Sequence, residues 1–222
     1  MKIQIVYEND SINPKLKTGW GFSCLIENEE DNVLFDTGWD GGMLLHNMGV
    51  LGINPESVKN VFLSHEHWDH IGGLPILLDK SKGMNVFVPG SFSFALKDEI
   101  KKRTETTVLN AAEKLNETME CWATGVLGES IKEQALVVKS DAGLVVITGC
   151  AHPGLERILE TAKIFGKVHA VIGGFHGFEK YEILKDIQLV APCHCTFHKR
   201  EMSEHYPDKF RNCGAGWMIE IK

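Results

Sequence analysis

Residues 64–73, Ser-His-Glu-His-Trp-Asp-His-Ile-Gly-Gly, set His65, His67, Asp69 and His70 within a single short segment. Imidazole nitrogens and carboxylate oxygens are the ligands that zinc and similar first-row divalent ions take. Ordinary core or surface histidines do not call for such a density, so the chain reads first as a metalloprotein. Two more histidines stand just past apolar, β-branched runs: His152 in Cys150-Ala-His-Pro-Gly and His194 between Cys193 and Cys195. Both are expected as metal ligands. His176 follows Val-Ile-Gly-Gly-Phe and has Gly173, Gly174 and Gly177 around it. Glycine lets a substrate approach the backbone closely, so His176 is assigned to substrate contact or proton transfer, with metal ligation as the alternative. Cys193 and Cys195 form a Cys-x-Cys pair, but a closed thiolate site needs further ligands and the chain holds no second such pair. Buried cysteines beside the site are the expectation.

These residues need strand ends to hold them. Residues 58–64 read as a buried strand running into the first cluster, and an extended turn beyond it can point alternate residues to one side. Residues 2–7, 23–27 and 32–36 read as strands, residues 43–48 and 55–59 as short helices, 74–78 as the start of a helix and 85–89 as a strand. Residues 97–116 are charged and threonine-rich without a clean apolar period, which suggests a surface excursion or an active-site cover. Residues 134–139 and 144–148 read as a hairpin, 154–166 as a helix ending at glycine, and 168–172 and 187–190 as strands. Strand-rich halves separated by helices predict two sheets packed face to face with helices outside. No linker divides the chain, so one domain over residues 1–222 is expected.

Composition narrows the function. A chain of 222 residues with 43% hydrophobic content can bury a substantial core. The formal charge of −7 and the lack of a long basic run disfavour nucleic acid and favour a small-molecule substrate. There is no apolar run long enough for a membrane span, and the opening residues read as a strand and polar turn, so a soluble, cytoplasmic protein is expected. Six dispersed cysteines lack the density of a secreted disulfide scaffold and are expected to be reduced.

His65-Glu-His67-Trp-Asp69-His70 resembles the HxHxDH motif of the metallo-beta-lactamase superfamily, and Asp36-Thr-Gly38 resembles the aspartate motif that precedes it. The resemblance implies a four-layered αββα sandwich of two mixed sheets with outer helices. It implies two divalent metal ions, one held by His65, His67 and a third histidine, the other by Asp69, His70 and a last histidine. His152 is assigned as the third and His194 as the last, although the two could exchange. Asp36 is expected to orient the ligands without binding metal. The family's usual bridging aspartate falls at Cys150, which is expected beside the metals and not on them. Zinc is the chemical default, with manganese, nickel and iron as alternatives.

Thr-Gly-Cys-Ala-His-Pro-Gly at 148–154, Gly-Gly-Phe-His-Gly-Phe at 173–178 and Ala-Pro-Cys-His-Cys-Thr at 191–196 are similar to the branch named for dihydropterin–ribofuranosylaminobenzene phosphate synthase, which also includes bacterial metal-dependent hydrolases. The leading expectation is a hydrolase attacking a small phosphate ester, lactone or related substrate through metal-activated water. The alternative is a dihydropterin-linked transferase that forms a carbon–nitrogen bond with loss of diphosphate. A metal-bearing binding or redox-responsive protein is the second alternative.

Overall fold

The computed structural model describes residues 1–116 and 118–221. Its first six strands are β1 (Lys2–Tyr7), β2 (Ser23–Glu27), β3 (Asn32–Phe35), β4 (Asn60–Phe62), β5 (Asn85–Pro89) and β6 (Glu105–Leu109). The next six are β7 (Glu113–Asn116), β8 (Cys121–Ala123), β9 (Leu136–Ser140), β10 (Gly143–Thr148), β11 (Val168–Gly174) and β12 (Leu189–Cys193), and β13 (Met218–Glu220) comes last. One sheet has the order β13-β1-β2-β3-β4-β5-β6 and the other β12-β11-β10-β9-β8-β7. Both are mixed: β3 to β6 and β10 to β12 run parallel, and the remaining pairs are antiparallel.

Alternation along the strands explains the layering. Val33 and Phe35 on β3, with Cys24 and Ile26 on β2, face the core between the sheets, where they meet Val145 and Ile147 of β10. The intervening Leu25 and Leu34 point the other way, against α1 (Gly41–Val50), α2 (Trp68–Ile71), α3 (Leu74–Lys80) and α4 (Phe94–Lys101). On the far side, Leu144 and Val146 pack with Leu155, Ile158 and Leu159 of α5 (Leu155–Ala162) and Met202 of α6 (Lys199–His205). Strands buried on both faces read as continuous apolar runs, and the result is helix, sheet, sheet, helix. The expected αββα sandwich of two mixed sheets is the observed architecture.

Several boundaries differ from expectation. The strand expected over 58–64 pairs only at Asn60–Phe62, and the chain beyond it is already leaving the sheet. Residues 55–59 hold a single 3-10 turn at Pro55–Ser57, capped by the Asn54 side chain. The strand expected at 187–190 begins later, at Leu189. The hairpin of β9 and β10 forms, with Ser140 opposite Gly143. Residues 97–116 are neither excursion nor cover: they complete α4, form edge strand β6 and cross to the second sheet as β7. Thr106 and Thr107 suit a half-exposed strand, where β-branched side chains pack without the apolar alternation of a core strand.

Candidate metal centre

The chemistry-bearing residues lie beyond the carboxyl ends of parallel strands, where side chains from neighbouring strands converge. Asp36 follows β3 and Ser64 to His67 follow β4, while Cys150 to His152 follow β10, His176 follows β11 and His194 follows β12. Four of these loop positions, Asp36, Ala151, His176 and His194, have left-handed backbone with φ of 51°, 58°, 48° and 45°. Non-glycine residues adopt that conformation only where their surroundings impose it.

Among the described residues four groups of three donors form; two contain Cys150, and the other two are the triads expected from the sequence. One ligand atom from each of His65, His67 and His152 lies within 4.8 Å of the others, and the same is true of Asp69, His70 and His194. His65 joins the two groups, since its ring centroid is 4.6 Å from that of His67, 4.2 Å from His70 and 4.7 Å from His152. Cys150 Sγ lies 3.2 Å from His70 Nε2, so the thiol sits among the donor atoms. His65, His70, Cys150 and His194 are buried, whereas His67 is exposed.

Backing groups fix the imidazoles. Asp36 accepts hydrogen bonds from Ser64 N at 2.8 Å and Ser64 Oγ at 2.7 Å, and lies 2.7 Å from His70 Nδ1. Because the Ser64 hydroxyl proton goes to Asp36, its oxygen accepts from His65 Nδ1 at 2.9 Å. His152 Nδ1 donates to Glu133 Oε2 at 2.9 Å, and His194 Nδ1 to Asn9 Oδ1 at 3.1 Å. With the proton assigned to Nδ1 by these partners, His65, His70, His152 and His194 all present an Nε2 lone pair to the site. That donor set fits divalent cations.

Electrostatics agree. Burial, reinforced by the neighbouring His194, pushes His70 down to about 3, and burial holds His65 well below its usual range. Both are neutral, the form that ligates a metal. Burial pushes Asp69 upward, but the adjacent imidazoles of His194 and His70 outweigh it and keep the carboxyl well below the usual range. Glu133 is likewise held down, by His152 and His65, against the effect of burial. Asp36 goes the other way: burial raises it despite its two bonds from Ser64. Hydrogen bonding with Cys195, then burial, raises the Cys150 thiol.

Three supports were not apparent in the sequence. Glu133, fully buried, accepts the backbone N–H groups of Gly149, Cys150 and Ala151 on Oε1 and that of His152 on Oε2. Glu8, also fully buried, accepts from His194 N at 2.5 Å, and Asn9 Nδ2 donates to His194 O. In the sequence both acids merely adjoin an apolar strand run, a position that does not distinguish them from solvent-facing acids. His176 belongs to neither donor triad; its ring centroid is 5.3 Å from that of His152 and 5.1 Å from that of the exposed Phe197. Trp20, also exposed, lies against His194 at 4.7 Å.

Comparison with known proteins places this arrangement. The profile of the metallo-beta-lactamase superfamily matches residues 20–114, which carry Asp36 and the first histidine cluster. A solved metal-dependent hydrolase of the beta-lactamase superfamily, Tm1679, superposes with a TM-score of 0.81 at 26% identity, covering 100% of this chain and 99% of that one. The chain has the metallo-beta-lactamase fold. The metallo-beta-lactamase fold protein YhfI of Bacillus subtilis shares the fold at a TM-score of 0.73 and 14% identity, over 99% of both chains. Among curated proteins, the 7,8-dihydropterin-6-methyl-4-(beta-D-ribofuranosyl)-aminobenzene-5'-phosphate synthase of Methanocaldococcus jannaschii is 29% identical over 90% of each chain.

This last relative corrects the leading expectation. Hydrolysis of a phosphate ester or lactone rested on the superfamily's general habit, whereas a curated match across nine-tenths of both chains is to a synthase. The metallo-beta-lactamase fold hosts more than one chemistry, so fold alone does not carry the hydrolase reading. The match to the superfamily profile and the synthase relative support an enzyme, and the metallo-beta-lactamase fold implies divalent metal binding. Among the described residues no helix is long and apolar enough to cross a membrane.

Proposed function

We propose that the protein is a dihydropterin-linked transferase that forms a carbon–nitrogen bond with loss of diphosphate. The similarity to the synthase over 90% of each chain carries this reading. In the reaction, the amino nitrogen of an aminobenzene attacks the methylene on C6 of a dihydropterin diphosphate. The carbon–oxygen bond breaks, its electron pair leaves with diphosphate, and the nitrogen loses a proton.

The site suits that task. Divalent cations bound there would neutralise charge on the departing diphosphate. His65, His67 and His152 are proposed to hold one cation, and Asp69, His70 and His194 the other, with zinc the default by donor type. Asp36, Ser64, Glu133 and Asn9 keep the donor nitrogens aimed, so little reorganisation accompanies the reaction. Burial and the nearby His152 lower His176, leaving it neutral and able to accept the proton from the aminobenzene nitrogen. The exposed rings of Trp20 and Phe197 offer stacking surfaces at the two ends of the cluster for planar substrates.

The test is incubation of metal-reconstituted protein with 6-hydroxymethyl-7,8-dihydropterin diphosphate and 4-(β-D-ribofuranosyl)aminobenzene 5'-phosphate, with products separated by mass. A coupled product and an equal amount of diphosphate are expected. Diphosphate release at the same rate with and without the aminobenzene, and no coupled product, would overturn the reading.

A further inference from the structure

A cavity of about 450 Å³ opens beside the His65, His67 and His152 cluster. His152 and His176 form the wall nearest the metal centre, and the buried rings of Phe175 and Phe178 lie beneath. Glu156 and Lys180 lie further along, joined by an ion pair of 2.5 Å. Glu156 is on the first turn of α5, four residues after His152 in the chain, so the loop that carries the histidine leads directly into the carboxylate. The other acid in the lining, Glu179, is 70% exposed at its side chain and faces His198 at 3.1 Å; Glu156 is only 30% exposed.

Resting on the transfer reaction proposed above, we infer that this cavity is the subsite for the pterin ring, with Glu156 and Lys180 reading its pyrimidine edge. That edge offers two adjacent donors, N3–H and the 2-amino group, next to one acceptor, the 4-oxo oxygen. A carboxylate takes the two donors and an ammonium the acceptor, and in this cavity the two charges already stand side by side. The pair is exposed enough that opening it to admit a ligand costs little, since surface ion pairs are worth about 0–1 kcal/mol. Phe175 and Phe178 contribute apolar lining against which the fused ring would pack, and His152 is also in the lining, where the diphosphate arm must reach the cations. A hydrolase of simple phosphate esters has no use for such a donor–acceptor pattern.

The test is direct binding, read by quenching of pterin fluorescence and independent of turnover. 6-Hydroxymethylpterin is titrated into metal-loaded and chelator-treated protein, alongside 6-hydroxymethyllumazine, which carries an oxo group in place of the 2-amino group. The pterin is expected to bind both protein forms, the lumazine to bind about 10- to 100-fold more weakly, and Glu156→Gln to lose a similar factor for the pterin alone. Lys180→Met is expected to weaken both ligands. Equal binding of the two ligands by the unmodified protein, or unchanged pterin affinity in Glu156→Gln, would overturn the subsite. The two proposals separate cleanly. Coupling activity with an unchanged pterin KM in Glu156→Gln sinks the subsite and leaves the transfer reaction standing, whereas selective pterin binding without any coupling does the reverse.

Discussion

Glu133 and His152 are joined twice through one carboxylate oxygen: Oε2 accepts the His152 backbone N–H at 3.0 Å and its Nδ1 at 2.9 Å. The other oxygen gathers the three preceding amides. One buried side chain therefore sets both the course of the loop after β10 and the tautomer of the imidazole it carries.

Replacement of Glu133 by glutamine tests this. The amide nitrogen that stands in for Oε2 donates to Nδ1, so the His152 proton moves to Nε2 and blocks the lone pair that faces His65 and His67. Cation affinity is expected to fall by about 10- to 100-fold, as for other groups that orient metal ligands. Metal titration with nitrogen-15 NMR of the histidines checks it; unchanged affinity with Nδ1 still protonated would show that Glu133 serves the loop only.

Asp36→Asn should act on the other cluster. It removes the carboxylate that accepts from His70 Nδ1 and Ser64, leaving His70, and through Ser64 also His65, free to change tautomer. A similar loss of affinity is expected, with the fold retained by circular dichroism. Full metal content and activity in the variant would refute the assignment.

His176→Ala separates substrate chemistry from metal binding. The residue lies outside both donor triads, so the variant is expected to keep its full complement of cations while turnover falls by about 10²-fold, the usual scale for loss of a proton-transfer group. If one cation were lost from this variant while His194→Ala kept both, His176 would be a ligand instead.

Acid should destabilise the metal-free protein well before most carboxylates titrate. His70 is pushed down to about 3 in the fold, so between pH 6.5 and that value the unfolded chain binds a proton that the folded chain does not. Stability therefore falls as pH drops through this window, by up to about 1.4 kcal/mol per unit from this residue. His65 is shifted the same way. Asp36, raised by burial, works in the opposite sense, since its stabilising proton is present at low pH and lost as pH rises. Urea melts in chelator at pH 7, 6, 5 and 4 should show a net decline; a flat profile would mean that these histidines take up protons in the folded state.

The sequence disclosed residues whose chemistry is dense or whose position is marked. His65, His67, Asp69 and His70 crowd one segment, and His152 and His194 each close an apolar run, so strand ends alone suggested that they meet. Glu133, Glu8 and Asn9 carry no such mark. Their roles depend on which loops the sheets bring alongside them, and an isolated acid next to a strand usually faces solvent. The chain from 97 to 116 was opaque for a different reason: β6 is an edge strand with a half-exposed face, and β7 follows it only after a change of sheet, so no single period runs through the segment.

The histidine clusters straddle the seam of the sandwich. His65, His67, Asp69 and His70 hang from the sheet containing β4, His152 and His194 from the sheet containing β10 and β12. Gln134 already stitches that seam beside the site, donating its side chain to Leu63 O and its backbone N–H to Ser64 O. Any ion gripped from both sides acts as a rivet through the two plates: it resists shear between them, and at 100 times its dissociation constant it adds about 2.7 kcal/mol to the work of prising them apart.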